Sequence, residues 1–153
     1  MKFHPLFRFL IRLPAYGFIL LFLAASILTG IITTFLPQPI IENPLVIEHK
    51  WMELVVLLLI APLLETLLFQ SLIIELVCKF IKRPRNSLYV ALMLSALAFA
   101  INHAYSMSYF VFTFIGGLIL ALAYFVGRYR RENASLLVVI IHTLYNLSTL
   151  VLS

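Results

Sequence analysis

The sequence predicts an all-α fold, a polytopic transmembrane helical bundle of about five spans, from its composition and its apolar segments. Of its 153 residues, 63% are hydrophobic and only 11% are charged, whereas a soluble domain is roughly half apolar and about a quarter charged. A helical span needs about 20 mostly apolar residues. Five such segments lie between the charge clusters, at 14–36, 51–78, 86–105, 109–127 and 134–152.

The basic residues predict the orientation of this bundle. The net charge is +5, and ten of the eleven Lys and Arg residues lie at the N-terminus, after span two or after span four. These regions share one side of the membrane if every segment spans, and the positive-inside rule makes that side cytoplasmic. We therefore predict one domain, residues 1–153, in the plasma (inner) membrane, with a cytoplasmic N-terminus and an outside C-terminus. Its surroundings are the lipid bilayer, and no nucleic-acid partner is expected.

Several features receive structural interpretations. Span one is interpreted as an uncleaved, lipid-facing anchor, and span four, with Gly116 and Gly117 but no ionisable residue, as structural. Glu53 and Glu75 lie near the two ends of span two and are expected to be solvated. The single cysteine, Cys78, rules out an intramolecular disulfide and a zinc site built on several thiolates.

The outer side is predicted to receive a proline-rich loop between the first two spans, residues 37–50. Its prolines deny a helix the amide donors that it needs, so the helix must break there. Glu42, Glu48 and His49 belong to this loop.

Glu65 places one carboxylate in the middle of span two. Eleven of the residues from 55 to 69 are Leu, Ile, Val or Phe. Each favours the bilayer by roughly 0.3 to 0.6 kcal/mol, while one ionisable group costs roughly 3 kcal/mol. The span therefore inserts, and the carboxylate has to face protein or trapped water. Pro62, one turn earlier, removes a helical hydrogen bond and predicts a kink that opens room beside it.

Two later spans carry polar residues at helical spacing. His103 follows Phe99 by four positions, and Asn146 follows His142 by four, so each pair projects from one helix face. A single membrane histidine is more often a hydrogen-bond partner between helices than a ligand. Because all of these groups are too polar to face lipid, we predict that Glu65, His103, His142 and Asn146 line one cavity.

Two kinds of site suit these four residues. In the first, Glu65, His103 and His142 bind zinc, which leaves no separate acid or base, since the neighbouring residue is Thr66. In the second, without metal or other cofactor, Glu65 takes a proton from a water that His103 helps to hold. His142 and Asn146 then donate hydrogen bonds to the oxyanion. The second is favoured; haem ligation by the two histidines would leave Glu65 without a role.

The three motifs resemble those of the CAAX-processing and bacteriocin-processing family of intramembrane endopeptidases, also called CPBP or Abi. That family carries EExxxR on one span, FxxxH on the next and HxxxN or HxxxD two spans later. Here the matching stretches are 65–70, 99–103 and 142–146, in the same order, with one motif-free span between the last two. The resemblance covers residues 61–146.

The resemblance implies a glutamate-dependent membrane protease, of a kind formerly classed as a metalloprotease, that cuts a membrane-associated peptide or protein. It implies Glu65 as the base, His103 as its partner, and His142 with Asn146 as the oxyanion pair, with no metal. The family's second Glu is replaced by Thr66.

The arginine of the family's first motif is replaced by Gln70, so the charge network that would orient the carboxylate is missing. A second function therefore stays open. It is a weakly catalytic or inactive membrane binding protein, such as a bacteriocin immunity or peptide-maturation factor.

Overall fold

The computed structural model describes residues 4–33, residue 35 and residues 50–152, and these form helices and no strand. The predicted outer loop with Glu42, Glu48 and His49 lies outside the described residues. The all-α prediction is confirmed. The helices are α1 (Pro5–Arg12), α2 (Ala15–Thr33), α3 (Lys50–Phe80), α4 (Pro84–Asn102), α5 (Met107–Gly127) and α6 (Ala134–Leu152).

Four of these helices, α2, α3, α5 and α6, are long and apolar enough to cross a membrane by length and composition. α4 has 19 residues, as α2 and α6 do, but it is less apolar because Arg85, Asn86 and Asn102 lie at its ends. α4 packs between α3 and α5. The chain is therefore an integral, polytopic membrane protein, and its helices follow the predicted segments.

α1 is a short amphipathic helix that precedes the predicted spans. Its Phe7 ring packs edge-on against Phe125 of α5, with ring centroids 6.2 Å apart. The buried guanidinium of Arg130 donates hydrogen bonds to the carbonyls of Leu10 and Ile11, at 2.8 and 3.1 Å. Those carbonyls lie at the helix C-terminus, where no helical donor follows. Arg130 therefore fastens α1 to the bundle, and its charge also belongs to the basic cluster that predicts the membrane orientation.

α2 packs one of its faces against α5 and α6. Ser26 is buried, and a Cβ at Gly30 would lie 3.0 Å from the hydroxyl oxygen of Tyr145, so the two helices approach closely at this glycine. The opposite face, with Leu20 and Leu28, is exposed. The interpretation of this span as a lipid-facing anchor is therefore wrong for the face that packs.

α3 changes its winding on both sides of Glu65. π-helical turns at Val56–Ile60 and Thr66–Leu72 flank the α-helical stretch Ala61–Glu65. π-helical turns inside α-helices are rare and are frequent at functional sites. Around Pro62, where a kink is predicted, the helix changes its winding on both sides of the carboxylate.

The carbonyls that Pro62 leaves without a donor are bound by α6. Proline has no N–H, so Leu58 loses its α-helical donor and Leu57 its π-helical one. The Thr143 hydroxyl donates to the Leu58 carbonyl at 2.8 Å, and the Asn146 amide donates to the Leu57 carbonyl at 2.9 Å. These two bonds fix α6 against α3 about two turns before the carboxylate, and we call them the α3–α6 clamp.

Candidate active site

Glu65 lies between two imidazoles inside the bundle. Its Oε1 is 3.5 Å from Nε2 of His103, and its Oε2 is 3.6 Å from Nε2 of His142. All three side chains are largely buried, with exposed fractions of 19%, 17% and 8% respectively. Residues from α3, the end of α4 and α6 therefore converge on one point, although they are far apart in the sequence.

His103 reaches this point from the end of α4. It is the first residue after the helix, with φ −116° and ψ 23°, and its ring lies 4.5 Å from that of Phe99, between centroids. Its Nδ1 is 2.8 Å from the Phe99 carbonyl oxygen. Since the ring turns back along the last helical turn, a histidine at the outer end of its span still meets Glu65.

Both histidines present Nε2 to the site, but the two Nε2 atoms differ in whether they carry the proton. A carbonyl oxygen only accepts, so the bond to Phe99 places a proton on Nδ1 of His103, and Nε2 of the neutral ring is an acceptor. Nδ1 of His142 is buried and has no hydrogen-bond partner among the residues that the structure describes, and its Nε2 faces the carboxylate. The neutral ring of His142 is therefore best satisfied with its proton on Nε2, aimed into the site.

Asn146 lines the same cavity as Glu65, but it also belongs to the α3–α6 clamp. Its side-chain nitrogen donates one hydrogen bond to the Leu57 carbonyl. An amide nitrogen carries two protons, so one N–H is left for another acceptor.

The cavity around these residues has a volume of about 160 Å³. One wall is a face of α5. The sequence interpretation treated this helix as structural, and its close packing on α4 at Gly117 agrees with that interpretation. α2 adds Ser26 and Thr29. The sequence carries a signal for this face of α5, because its residues stand three, four, seven and eleven positions after Tyr109, the first aromatic residue of α5. That spacing places them on one face of a helix. The α5 wall consists of Tyr109, Phe112, Thr113, Gly116 and Leu120.

Comparison with known families places this site in context. Residues 47–148, two thirds of the chain, match the family model described as "Type II CAAX prenyl endopeptidase Rce1-like". The chain belongs to this family. The family resemblance predicted from the three motifs is thereby confirmed, and α1 and α2 lie outside the matched region. No curated protein and no solved structure is significantly similar to the chain.

In this Rce1-like chain, Thr66 and Gln70 occupy the positions at which the family's first motif has its second Glu and its Arg. Thr66 and Gln70 have side chains that are completely buried. The Thr66 hydroxyl and both polar atoms of Gln70 have no hydrogen-bond partner among the described residues. Both groups therefore lie inside the bundle, and neither is hydrogen-bonded to Glu65.

The alternative zinc site, with Glu65, His103 and His142 as ligands, stays a prediction. Within residues 4–33, 35 and 50–152, no group of three or more His, Cys, Asp or Glu side chains is arranged to hold a metal ion. This described part of the chain includes the predicted zinc ligands Glu65, His103 and His142. The catalytic roles of these residues stay predictions.

Glu75, ten residues after Glu65, has a different partner from the one expected. Its carboxylate accepts hydrogen bonds from Nε and Nη2 of Arg128, at 2.7 and 3.1 Å. The side chain is exposed, as predicted for a solvated charge, but it is also paired. Burial acts to lower the pKa of Arg128, but the hydrogen bonds to Glu75 outweigh it and hold that pKa above its ordinary value. Arg128 also lies 3.1 Å from Cys78 Sγ.

Proposed function

We propose that this Rce1-like protein is an intramembrane endopeptidase in which Glu65 activates water for attack on a peptide bond. One observation carries the proposal: a carboxylate inside the bundle lies between two imidazole nitrogens at 3.5 and 3.6 Å. A general base has to lie within reach of the proton that it removes and of the groups that hold its water.

Each polar group has one role in the proposed reaction. A water bound between Glu65 and Nε2 of His103 gives a proton to the carboxylate and attacks the peptide carbonyl carbon. The N–H on Nε2 of His142 and the remaining amide N–H of Asn146 stabilise the oxyanion. The protonated Glu65 then gives its proton to the leaving nitrogen as the C–N bond breaks. The proton balance closes without a metal or other cofactor.

We also propose the predicted orientation in the plasma membrane, with the N-terminus cytoplasmic, the C-terminus outside, and a membrane-associated peptide or protein as substrate. The contact between Glu75 and Arg128 supports it, because it joins the ends of α3 and α5, which carry two of the basic clusters. A reporter that is active only in the cytoplasm, fused after Ser153, is expected to be inactive. Activity of this reporter would refute the orientation.

The main test uses purified protein in lipid bilayers with a library of membrane-anchored peptides. Wild type is expected to cleave members of the library in the presence of a zinc chelator. Glu65→Gln keeps the size of the side chain but removes the base, so cleavage should fall by roughly 10²- to 10⁴-fold. Unchanged cleavage in Glu65→Gln would refute the proposal, and loss of wild-type cleavage with chelator would favour the zinc alternative.

The second candidate function, a membrane binding protein with little or no catalysis, is favoured by one observation. The buried side chains of Thr66 and Gln70 form no charge network beside Glu65. In such a protein, Glu65→Gln removes a costly buried charge and should keep function and raise stability.

The double substitution Thr66→Glu with Gln70→Arg separates the two candidates. It introduces both charges together, because one buried charge without a partner is strongly destabilising. A weak protease should gain cleavage activity, and a binding scaffold should gain none. The folded fraction of the variant has to be measured in the same sample.

A further inference from the structure

α1 has three chemically different sides, and the first of them packs on the bundle. Phe7 and Leu10 are buried, and they stand three positions apart, on one face of the helix. The Phe7 ring packs edge-on against the rings of Phe125 and Tyr129, at centroid distances of 6.2 and 5.5 Å. These contacts hold α1 at the end of α5, next to the basic cluster that follows it.

α1 is too short to be a membrane span, and it does not continue α2. Its eight residues extend about 12 Å, whereas the hydrocarbon core of a bilayer is about 30 Å thick. Leu13, directly after the helix, has φ −57° and ψ 141°, which is not a helical conformation. The chain therefore turns between the two helices, and α1 lies at the end of the bundle, where a membrane surface would be.

The second side of α1 is apolar and exposed. Leu6 is 59% exposed and Phe9 is 55% exposed. Each precedes a buried residue of α1 by one position, so this side is turned by about 100° from the side that packs. Two large apolar side chains that no protein covers are suited to the acyl chains at the edge of a bilayer.

The third side of α1 carries two exposed arginines, Arg8 and Arg12. They stand four positions apart, so they project from one face. Among the described residues, neither arginine forms an ion pair with a carboxylate. The carboxylates near the end of α5, Glu75 and Glu132, are already paired with other arginines. The charges of Arg8 and Arg12 therefore match an acidic partner outside the described chain.

We infer that α1 is an interfacial helix that binds the headgroups of acidic phospholipids through Arg8 and Arg12, with Leu6 and Phe9 among the acyl chains. Basic amphipathic helices lie in the plane of a membrane surface and bind anionic lipid more strongly than neutral lipid. Each arginine near an acidic surface strengthens binding roughly fivefold. α1 lies outside the region that matches the family model, and this lipid site is independent of the proposed cleavage reaction.

The test uses the whole chain in bilayers, with one tryptophan on α1. Trp51 is the only tryptophan of the sequence, so Trp51→Phe combined with Phe9→Trp gives a reporter protein that fluoresces from α1 alone. Brominated phosphatidylcholine or brominated phosphatidylglycerol is mixed into plain phosphatidylcholine to quench the tryptophan on contact. At low salt, phosphatidylglycerol should be preferred at α1 by roughly 5- to 25-fold, as expected for one or two arginine contacts. The preference should fall at high salt.

Three further variants of the reporter protein assign this preference to α1. Arg8→Gln with Arg12→Gln should bring the preference close to one. Arg8→Lys with Arg12→Lys should keep most of it, because acidic headgroups attract either cation. Lys82→Gln with Arg83→Gln is the matched control, because it removes the same charge from exposed residues that follow α3. This control should keep most of the preference at α1.

Equal quenching by the two brominated lipids in the reporter protein would refute the lipid site. A preference that survives Arg8→Gln with Arg12→Gln would also refute it, and so would an equal loss in the Lys82 and Arg83 control. A tryptophan on α1 that aqueous acrylamide quenches but brominated lipid does not would overturn the contact with acyl chains. That last result would favour a second protein as the partner of the apolar side.

Discussion

Two carboxylates on α3, Glu65 and Glu75, lie in contrasting surroundings. Glu75 is about half exposed, and a guanidinium donates to both of its oxygens. Glu65, roughly 15 Å away along the helix, is 19% exposed and has an imidazole nitrogen at 3.5 or 3.6 Å from each oxygen.

The difference between these partners indicates which carboxylate is suited to acid–base chemistry. A guanidinium is always charged, so Arg128 holds Glu75 as a carboxylate with both oxygens in use. An imidazole gains and loses a proton near neutral pH and presents either a donor or an acceptor. This contrast supports the proposal that Glu65 transfers protons, whereas Glu75 fastens α3 to the end of α5.

The largest expected effects outside α3 come from the two imidazoles. His103→Ala removes the acceptor that helps to hold water, and peptide cleavage should fall by roughly 10²- to 10⁴-fold. His142→Ala removes an oxyanion donor and should lower kcat by roughly 10²- to 10³-fold. Steady-state cleavage of a membrane-anchored peptide measures both. Retention of wild-type kcat in either variant, with the protein folded, would remove that histidine from the mechanism.

An intermediate effect is expected from the α3–α6 clamp. Thr143→Val keeps the shape of the side chain but leaves the Leu58 carbonyl without its donor, which should cost about 1 to 2 kcal/mol of stability. The unfolding midpoint in detergent measures the loss. Thr149→Val is the matched control, because the Thr149 hydroxyl bonds only within α6 and is exposed, so its midpoint should stay nearly unchanged. Equal midpoints for the two variants would show that the clamp does not stabilise the fold.

The smallest effect is expected from the pair at the end of α3. Because Glu75 is half exposed, Glu75→Gln and Arg128→Lys should each cost about 1 kcal/mol or less, and the loss should shrink at high salt. A double-mutant cycle on the unfolding midpoint measures the coupling between the two residues. A large coupling energy would mean that this pair, and not the clamp, is the main polar fastening of α3.

The helices and the four polar residues of the site could be predicted from the sequence, because apolar length and i, i+4 spacing are local properties. His103 was the difficult case, since its position at the end of a span gave no sign that its ring turns back to Phe99. The α5 wall has helical spacing but no charged residue, so nothing distinguished it from a face that packs. The close approach of Ala96 to Gly117 depends on α4, which no local pattern describes.

Other features depend on contacts between distant segments. Arg130 belongs to a basic cluster that reads as a topology signal, and its bonds to the end of α1 arise only when the fold brings residues 120 positions apart together. Pro62 predicts a freed carbonyl on α3. Only the packed position of α6 shows that Thr143 and Asn146 donate hydrogen bonds to the carbonyls near it. Glu75 likewise gains Arg128 only through tertiary structure.

The most direct test of the central claim is the matched pair Glu65→Gln and Glu75→Gln, measured for peptide cleavage in the same lipid bilayers. Both variants make the same chemical change on the same helix. The account predicts that Glu65→Gln loses roughly 10²- to 10⁴-fold of the cleavage rate while Glu75→Gln stays within about twofold of wild type, since its exposed ion pair is worth little. Equal rates for the two variants, whether both low or both unchanged, would contradict the assignment of Glu65 as the base.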